Sequence, residues 1–194
     1  SGVPGTNVTV TGQGFSAGKY VDIYYAGTRV VTNKTDSKGY FTLFFTVPEG
    51  CSGAYQVHAV VVHDTADAQF TVKPGLTISP AQGPVGANAT VTGQGFAQNE
   101  PGISLLYYFT DGYQRVGTNI TANATGSWET SLIIPSSTKG NNRLDAQGAV
   151  SKFYDVQDAV FEVTTEIAMD KSWGSMGDII TMTGSRFVVY EKNI

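Results

Sequence analysis

The chain has 194 residues, a formal net charge of −4 and 14% charged residues, against about 25% charge in an ordinary globular domain. Its 10 Tyr, 10 Phe and 2 Trp exclude a disordered chain, and too few Leu, Glu and Lys are present for a helical bundle. The acidic balance argues against a nucleic-acid binder, and with no apolar run of 18 residues or more, this segment is expected to stay out of a membrane.

From the N-terminus, the predicted elements are short alternating segments bounded by turn signals, which is the pattern of an all-β sandwich. The first set falls near 7–12, 20–25, 28–33, 40–47, 54–62 and 68–73. Val8 and Val10 alternate with Thr9 and Thr11, giving one apolar and one hydroxyl-bearing face. Gly12-Gln13-Gly14 reads as a corner that aims Phe15 inward. Asp36–Gly39 is a turn, because Asp bonds its own backbone and Gly accepts a positive φ. Pro48 ends a strand, since proline donates nothing to a ladder. Cys51 follows Glu49-Gly50 and has no second cysteine to pair with. It reads as a small, partly buried residue.

A second set is predicted near 75–79, 88–93, 102–109, 114–120, 127–134, 142–149 and 159–164. Its punctuation repeats the first. Gly5 to Phe15 recurs as Gly86 to Phe96, a spacing of 81, and again loosely as Gly177 to Phe187, a spacing of 91. Asp36–Phe41 matches Asn123–Trp128, and Asp67–Val72 matches Asp158–Val163. Tyr24-Tyr25 is paired with Tyr107-Tyr108, with at least one ring of each pair in the core. Two further strands are expected near 166–170 and 178–183. The expected organisation is residues 1–74 as repeat 1 without its first strand, 75–165 as a complete repeat 2, and 166–194 as the first strands of a repeat 3. The fold class is thus all-β, as tandem immunoglobulin-like β-sandwich domains joined end to end by the short, proline-stiffened linker Lys73-Pro74-Gly75. Neighbouring repeats or copies of the chain itself are the expected partners, through strand addition or domain contacts.

Leu76-Thr77-Ile78-Ser79-Pro80-Ala81-Gln82-Gly83-Pro84-Val85-Gly86, followed by Ala89–Phe96, resembles the opening of IPT/TIG-type immunoglobulin-like repeats. It looks most like the tandem versions in bacterial and archaeal surface-layer and other exported proteins. The resemblance implies an extracellular, cell-surface location and a non-catalytic structural role in a surface layer, sheath or stalk. Lys171, Ser185 and Arg186 depart from the pattern in the third copy.

Catalysis has little support. His58 and His63 are five apart, so on one strand they face opposite ways, and His58 aligns with Asp145. The Gly-x-Gly corners open no helix, so they are not phosphate loops. No cofactor is expected. Asp64 and Asp67, and their counterparts Asp155 and Asp158, precede the last strand of their repeats and are the candidates for Ca²⁺, but they lack a D-x-D-x-D spacing, and a solvated loop is the bland alternative. Five N-x-Thr triplets begin at Asn7, Asn33, Asn88, Asn119 and Asn123 and are candidate glycosylation acceptors. They also arise by chance in Thr-rich strands. The extra residues of repeat 2 fall in two loops. Asp111, Tyr113 and Gln114 in one, and Phe153 and Tyr154 in the other, could stack on and hydrogen-bond a glycan or a protein partner. Packing of these aromatics against their own sheet is the alternative. An adhesion or carbohydrate-binding module, or an accessory domain of a larger secreted enzyme, are therefore the competing functions.

Overall fold

The computed structural model describes residues 1–110 and 112–186. Within them the chain is all-β, without a helix. Repeat 1 contains β1 (Asn7–Gly12), β2 (Tyr20–Tyr25), β3 (Thr28–Lys34), β4 (Phe41–Thr46), β5 (Gly53–Val61) and β6 (Asp64–Val72). They form a two-stranded sheet, β1-β4, and a four-stranded sheet, β3-β2-β5-β6. Repeat 2 contains β7 (Gly75–Ser79), β8 (Gln82–Gly83), β9 (Asn88–Gln94), β10 (Ile103–Phe109), β11 (Gly112–Ile120), β12 (Trp128–Ile133), β13 (Gly140–Gln147) and β14 (Ala159–Val163). Its sheets are β12-β9-β7 and β11-β10-β13-β14-β8. This is an immunoglobulin-like arrangement of two facing antiparallel sheets, with one short parallel pair, β14 with β8.

Alternation builds each core. Phe41, Leu43 and Phe45 of β4 are buried while Thr42, Phe44 and Thr46 are exposed. They meet Val21, Ile23 and Tyr25 of β2 across the sandwich. In repeat 2 the same layer is Trp128, Leu132, Ile103, Leu105 and Tyr107. The first glycine of each corner makes room for an aromatic ring. A Cβ on Gly12 would overlap the Phe41 ring, and one on Gly93 would overlap Trp128. The turns also match. The Asp36 carboxylate accepts the amides of Lys38 and Tyr40, each at 2.8 Å, and the Asn123 side-chain carbonyl accepts those of Thr125 and Ser127, each at 2.9 Å.

Several expectations need correction. The last strand of repeat 1 starts at Asp64 rather than near 68, because β5 and β6 join through the two-residue turn Val62-His63. Asp64 and Asp67 therefore lie within β6 and not before it. The first half of that strand is a polar, exposed edge, so hydrophobic alternation does not mark it. The tyrosine pairing shifts by one. Tyr25 lies opposite Val57 and Tyr107 opposite Leu144, so Tyr25 and Tyr107 are the equivalent buried rings and Tyr24 matches Leu106. The third-copy strands are β15 (Glu166–Met169) and β16 (Met182–Ser185), the second later than expected. Their pairing, Glu166 with Ser185 and Met169 with Met182, reproduces Gly75 with Gln94 and Ile78 with Val91 at an offset of 91. Arg186 takes a φ of 63° where Gly14 and Gly95 have 78° and 73°, a left-handed conformation that costs a non-glycine residue about 1 kcal/mol. Phe187 lies outside the described residues.

The joins are tight. β6 ends at Val72 and β7 starts at Gly75. The Lys73 amide donates to the Gly2 carbonyl at 2.9 Å, the Gln157 amide to Pro74 at 2.9 Å, and the Leu76 amide to Gln157 at 2.9 Å. Repeat 1 also reaches over with the turn after Pro48. The Ser52 amide donates to the Phe96 carbonyl at 3.3 Å, and the Cys51 thiol to Ala124 at 3.6 Å. The second join copies the first: two residues separate β14 from β15, and the Thr164 amide donates to Gly83 at 3.0 Å, the counterpart of Lys73 to Gly2. Arg186 donates to the Ser136 hydroxyl at 3.1 Å.

Candidate functional site

The outer face of the five-stranded sheet in repeat 2 gathers the polar and aromatic side chains that the core does not use. Alternation turns Ile103, Leu105 and Tyr107 of β10 inward and Ser104, Leu106 and Tyr108 outward. Tyr113 of β11 lies opposite Tyr108, and Arg115 opposite Leu106. The two tyrosine rings stack at 5.4 Å between centroids. The Arg143 guanidinium of β13 sits 4.1 Å over the Tyr108 ring and donates to Asp158 at 3.0 Å.

Beneath that guanidinium lies Asp145, fully buried, with one carboxylate oxygen accepting the Ala146 amide at 2.7 Å. Its other oxygen has no hydrogen-bond partner and lies 3.8 Å from Arg143. Burial pushes the Asp145 carboxyl up to about 6, and the nearby Asp158 carboxylate adds to the rise, against the pull of the Ala146 amide and Arg143.

Beside this cluster is a cleft of about 460 Å³. Leu106 and Ser104 form its floor, Arg115 one rim, and Gln147 to Ala149 the other. Among the described residues, Arg115 has no carboxylate within 4.0 Å. The second rim belongs to the connection between β13 and β14, and a buried glutamate pins it. Glu100 accepts the amides of Val150 and Ser151 at 2.7 Å each, the Ser151 hydroxyl at 2.7 Å and the Ala97 amide at 3.1 Å. Burial raises the Glu100 carboxyl, but the hydrogen bonds from Ser151, Val150 and Ala97 outweigh it and hold the group below its ordinary range. A Cβ on Gly148 would collide with the Glu100 carboxylate, so the rim folds directly over it.

The matching face of repeat 1 is built differently. His58 lies opposite Asp67, with its Nδ1 2.6 Å from the carboxylate, and Gln56 donates to the same oxygen at 3.0 Å. Tyr24, Gly27 and Val60 complete a recess of about 350 Å³. His63 lies in the tight turn before β6.

The sequence-derived candidates do not form one site. Tyr113 and Gln114 are adjacent on β11, so they point to opposite faces. Asp111 lies outside the described residues. Phe153 and Tyr154 pack edge to face at 5.3 Å, in a connection that leaves β13 after Gln147, which is opposite Ser104. Tyr113 is level with Tyr108, four residues or roughly 13 Å away along the strand. Neither Phe153 nor Tyr154 lines the cleft. The face is instead completed by Arg115, Leu106, Gln147 and Arg143. A strict two-residue alternation from Tyr113 to Arg115 is the signal that points to the first of these.

The four aspartates have other partners or none. Asp64 accepts the Ser16 amide at 2.7 Å and its hydroxyl at 2.6 Å, which lower its carboxyl below the usual range, side-chain bond first. Asp67 and Asp158 are held as described, and Asp155 is exposed. Among the described residues no three His, Cys, Asp or Glu side chains gather as a metal site. All five glycosylation candidates, Asn7, Asn33, Asn88, Asn119 and Asn123, are exposed.

No protein-family model matches the sequence, and no curated protein matches it. Similar solved structures include a tetra-tandem repeat in the extending region of a large adhesion protein, at 20% identity and a TM-score of 0.35, covering 87% of this chain and 49% of that one. A protein of the Bacteroides ovatus mixed-linkage glucan utilization locus, in complex with a mixed-linkage heptasaccharide, gives 14% identity and a TM-score of 0.37, covering 86% and 44%. The fibronectin-III array of RIM-binding protein gives 11% identity and a TM-score of 0.34, covering 95% and 73%. The chain thus spans about half the length of the first two.

Proposed function

We propose that the chain is a structural segment of an exported cell-surface protein, of the IPT/TIG type in a surface layer, sheath or stalk, in which sandwiches are joined without slack. The observation that carries this reading is the join itself. Strand β6 runs into β7 across two residues, both flanked by backbone hydrogen bonds, and the turn at Cys51-Ser52 braces the opposite side. The same join recurs from β14 to β15. A linker that donates and accepts within the neighbouring sheets has no free torsions to absorb bending, so each repeat hands a fixed orientation to the next.

A surface location is supported by the low charge of the chain and by the exposure of all five Asn-x-Thr asparagines. Spin labels on β3 and β11, read by pulsed dipolar spectroscopy, test the join. A narrow distance distribution is expected, and inserting Gly-Ser-Gly after Pro74 broadens it. A distribution already broad in the native chain overturns the reading.

A further inference from the structure

We propose that the cleft on the outer face of repeat 2 is a binding site for an acidic sugar, with Arg115 taking the carboxylate and Tyr113 stacking on the pyranose ring. This goes beyond the structural role, which stands or falls separately on the rigidity of the join.

Four features of the cleft converge. Its volume of about 460 Å³ falls in the range of small-ligand sites. Leu106 at its floor is buried, at 7% exposure, so the floor is apolar without being sticky at large. Ser104 and Gln147 supply hydroxyl and amide groups at the spacing of neighbouring strands, suited to sugar hydroxyls. Arg115 is the exposed cation on the rim, and its planar fork matches a carboxylate with two parallel N–H bonds. Asp145 is fully buried under Arg143, and neither it nor Glu100 is among the residues that line the cleft.

Two supports hold the site in shape. The wall at Gly148-Ala149 is anchored by three hydrogen bonds from Val150 and Ser151 to Glu100, which the Ala97 amide holds in turn, so little ordering is left to be lost on binding. Beyond the Arg115 rim, outside the cleft's own lining, Tyr113 is 63% exposed yet its ring is braced against Tyr108, which is itself capped by Arg143. It lies two residues from Arg115 on the same face, roughly 7 Å along the strand, which is about one pyranose ring. An aromatic platform next to a guanidinium favours a ring bearing a carboxylate over an acidic peptide, whose flexible side chains have no flat C–H face to stack.

The test is an NMR titration of the ¹⁵N-labelled chain with digalacturonate, against the neutral galactobiose and a tri-glutamate peptide. Digalacturonate is expected to shift the amides of 104–106, 113–115 and 147–149 and to bind roughly 10-fold more tightly than galactobiose. Arg115→Gln should erase that preference while leaving galactobiose binding intact. Tyr113→Ala should weaken both sugars several-fold. Arg115 lies on an exposed edge strand, and in a Trp173→Phe background the buried Trp128 reports by its fluorescence that each variant is folded. Equal binding of the two sugars, tighter binding of tri-glutamate, no shifts with digalacturonate at tens of millimolar, or unchanged selectivity in Arg115→Gln would each overturn the proposal.

Discussion

Repeat 1 and repeat 2 use one scaffold and differ at two places, one on the flank of the sandwich and one at its end. On the flank, β9 is hydrogen-bonded on both sides, by β7 and β12, whereas β1 has β4 alone. The consequence runs through the core. Val91, Phe96 and Ala159 are buried, while their counterparts Val10 and Phe15 are half-buried and Ala68 is exposed. A cavity of about 110 Å³, lined by Val10, Phe15 and Phe41 among others, opens beside β1. Its place in repeat 2 is taken by Leu76 opposite Gly93. At the end, β5 and β6 meet in a two-residue turn, while β13 and β14 are linked by residues 148–158. Both ends are tied by a carboxylate, but from opposite directions. Asp64 reaches from the strand after the turn to the Ser16 amide, and Glu100 reaches from the earlier loop to the equivalent Ala97 amide and to the long connection. A shared backbone requirement, one amide at the corner after the Phe, has been met by two different side chains, and only the second also pins a long connection that walls a cleft.

The largest break in this comparison should come from Glu100→Ala. It strands three amides and a hydroxyl in a buried place, and a loss of about 3–5 kcal/mol is expected for repeat 2. Urea unfolding followed by Trp128 fluorescence, in a Trp173→Phe background, reads it out. The sign with pH follows from the lowered carboxyl. The stabilisation is present above the unfolded value of about 4.3 and is lost as pH falls through the folded one, so the gap between native and variant should shrink in acid. Asp64→Ala, which removes a half-buried tie in repeat 1, should cost less, read by amide exchange in β2 and β5 because repeat 1 holds no tryptophan. Equal losses would mean that the two ties are interchangeable and that the long connection is not held by Glu100.

Leu76→Ala comes next. It removes the side chain that closes the flank of repeat 2 and should cost about 2–3 kcal/mol. It should also leave repeat 2 with an opening like the one beside β1, detected as faster amide exchange at Val91 and Leu132. No change in exchange would show that β7 is not what seals the core.

Most of the scaffold was legible in the sequence, because its punctuation repeats. The Gly corners, the Asp36 and Asn123 turns and the proline stops each reflect a local backbone demand, and local demands leave local signatures. The candidate site was less so. Tyr113 was visible as an exposed aromatic, but Arg115 and Gln147 become a pair only through the register of β11, β10 and β13, which no local signal encodes. That Phe153 and Tyr154 lie apart from Tyr113 has the same origin: which loops meet is set by the register of β10 with β11 and β13. The start of β6 at Asp64 was placed too late, near 68, because an exposed edge strand needs no apolar alternation.

The smallest effect, and the finest comparison, concerns the equivalent positions His58 of β5 with Asp67 of β6, and Asp145 of β13 with Asp158 just before β14. In repeat 2 the pair is two carboxylates, and burial with a like-charged neighbour pushes Asp145 up to about 6. Against an unfolded value of about 3.9, the folded state holds its proton more tightly. The group therefore costs nothing below about pH 4, costs progressively more between pH 4 and 6, and carries its full penalty above that. Asp145→Asn keeps the acceptor for the Ala146 amide and removes the charge, so it should stabilise repeat 2 by about 1–2 kcal/mol at pH 7.5 and by nothing at pH 4, measured by the same Trp128 unfolding curves. A benefit that is constant with pH would instead trace the gain to packing. A loss at neutral pH would mean that the ionised Asp145 is needed to hold Arg143 over Tyr108, and with it the brace behind Tyr113.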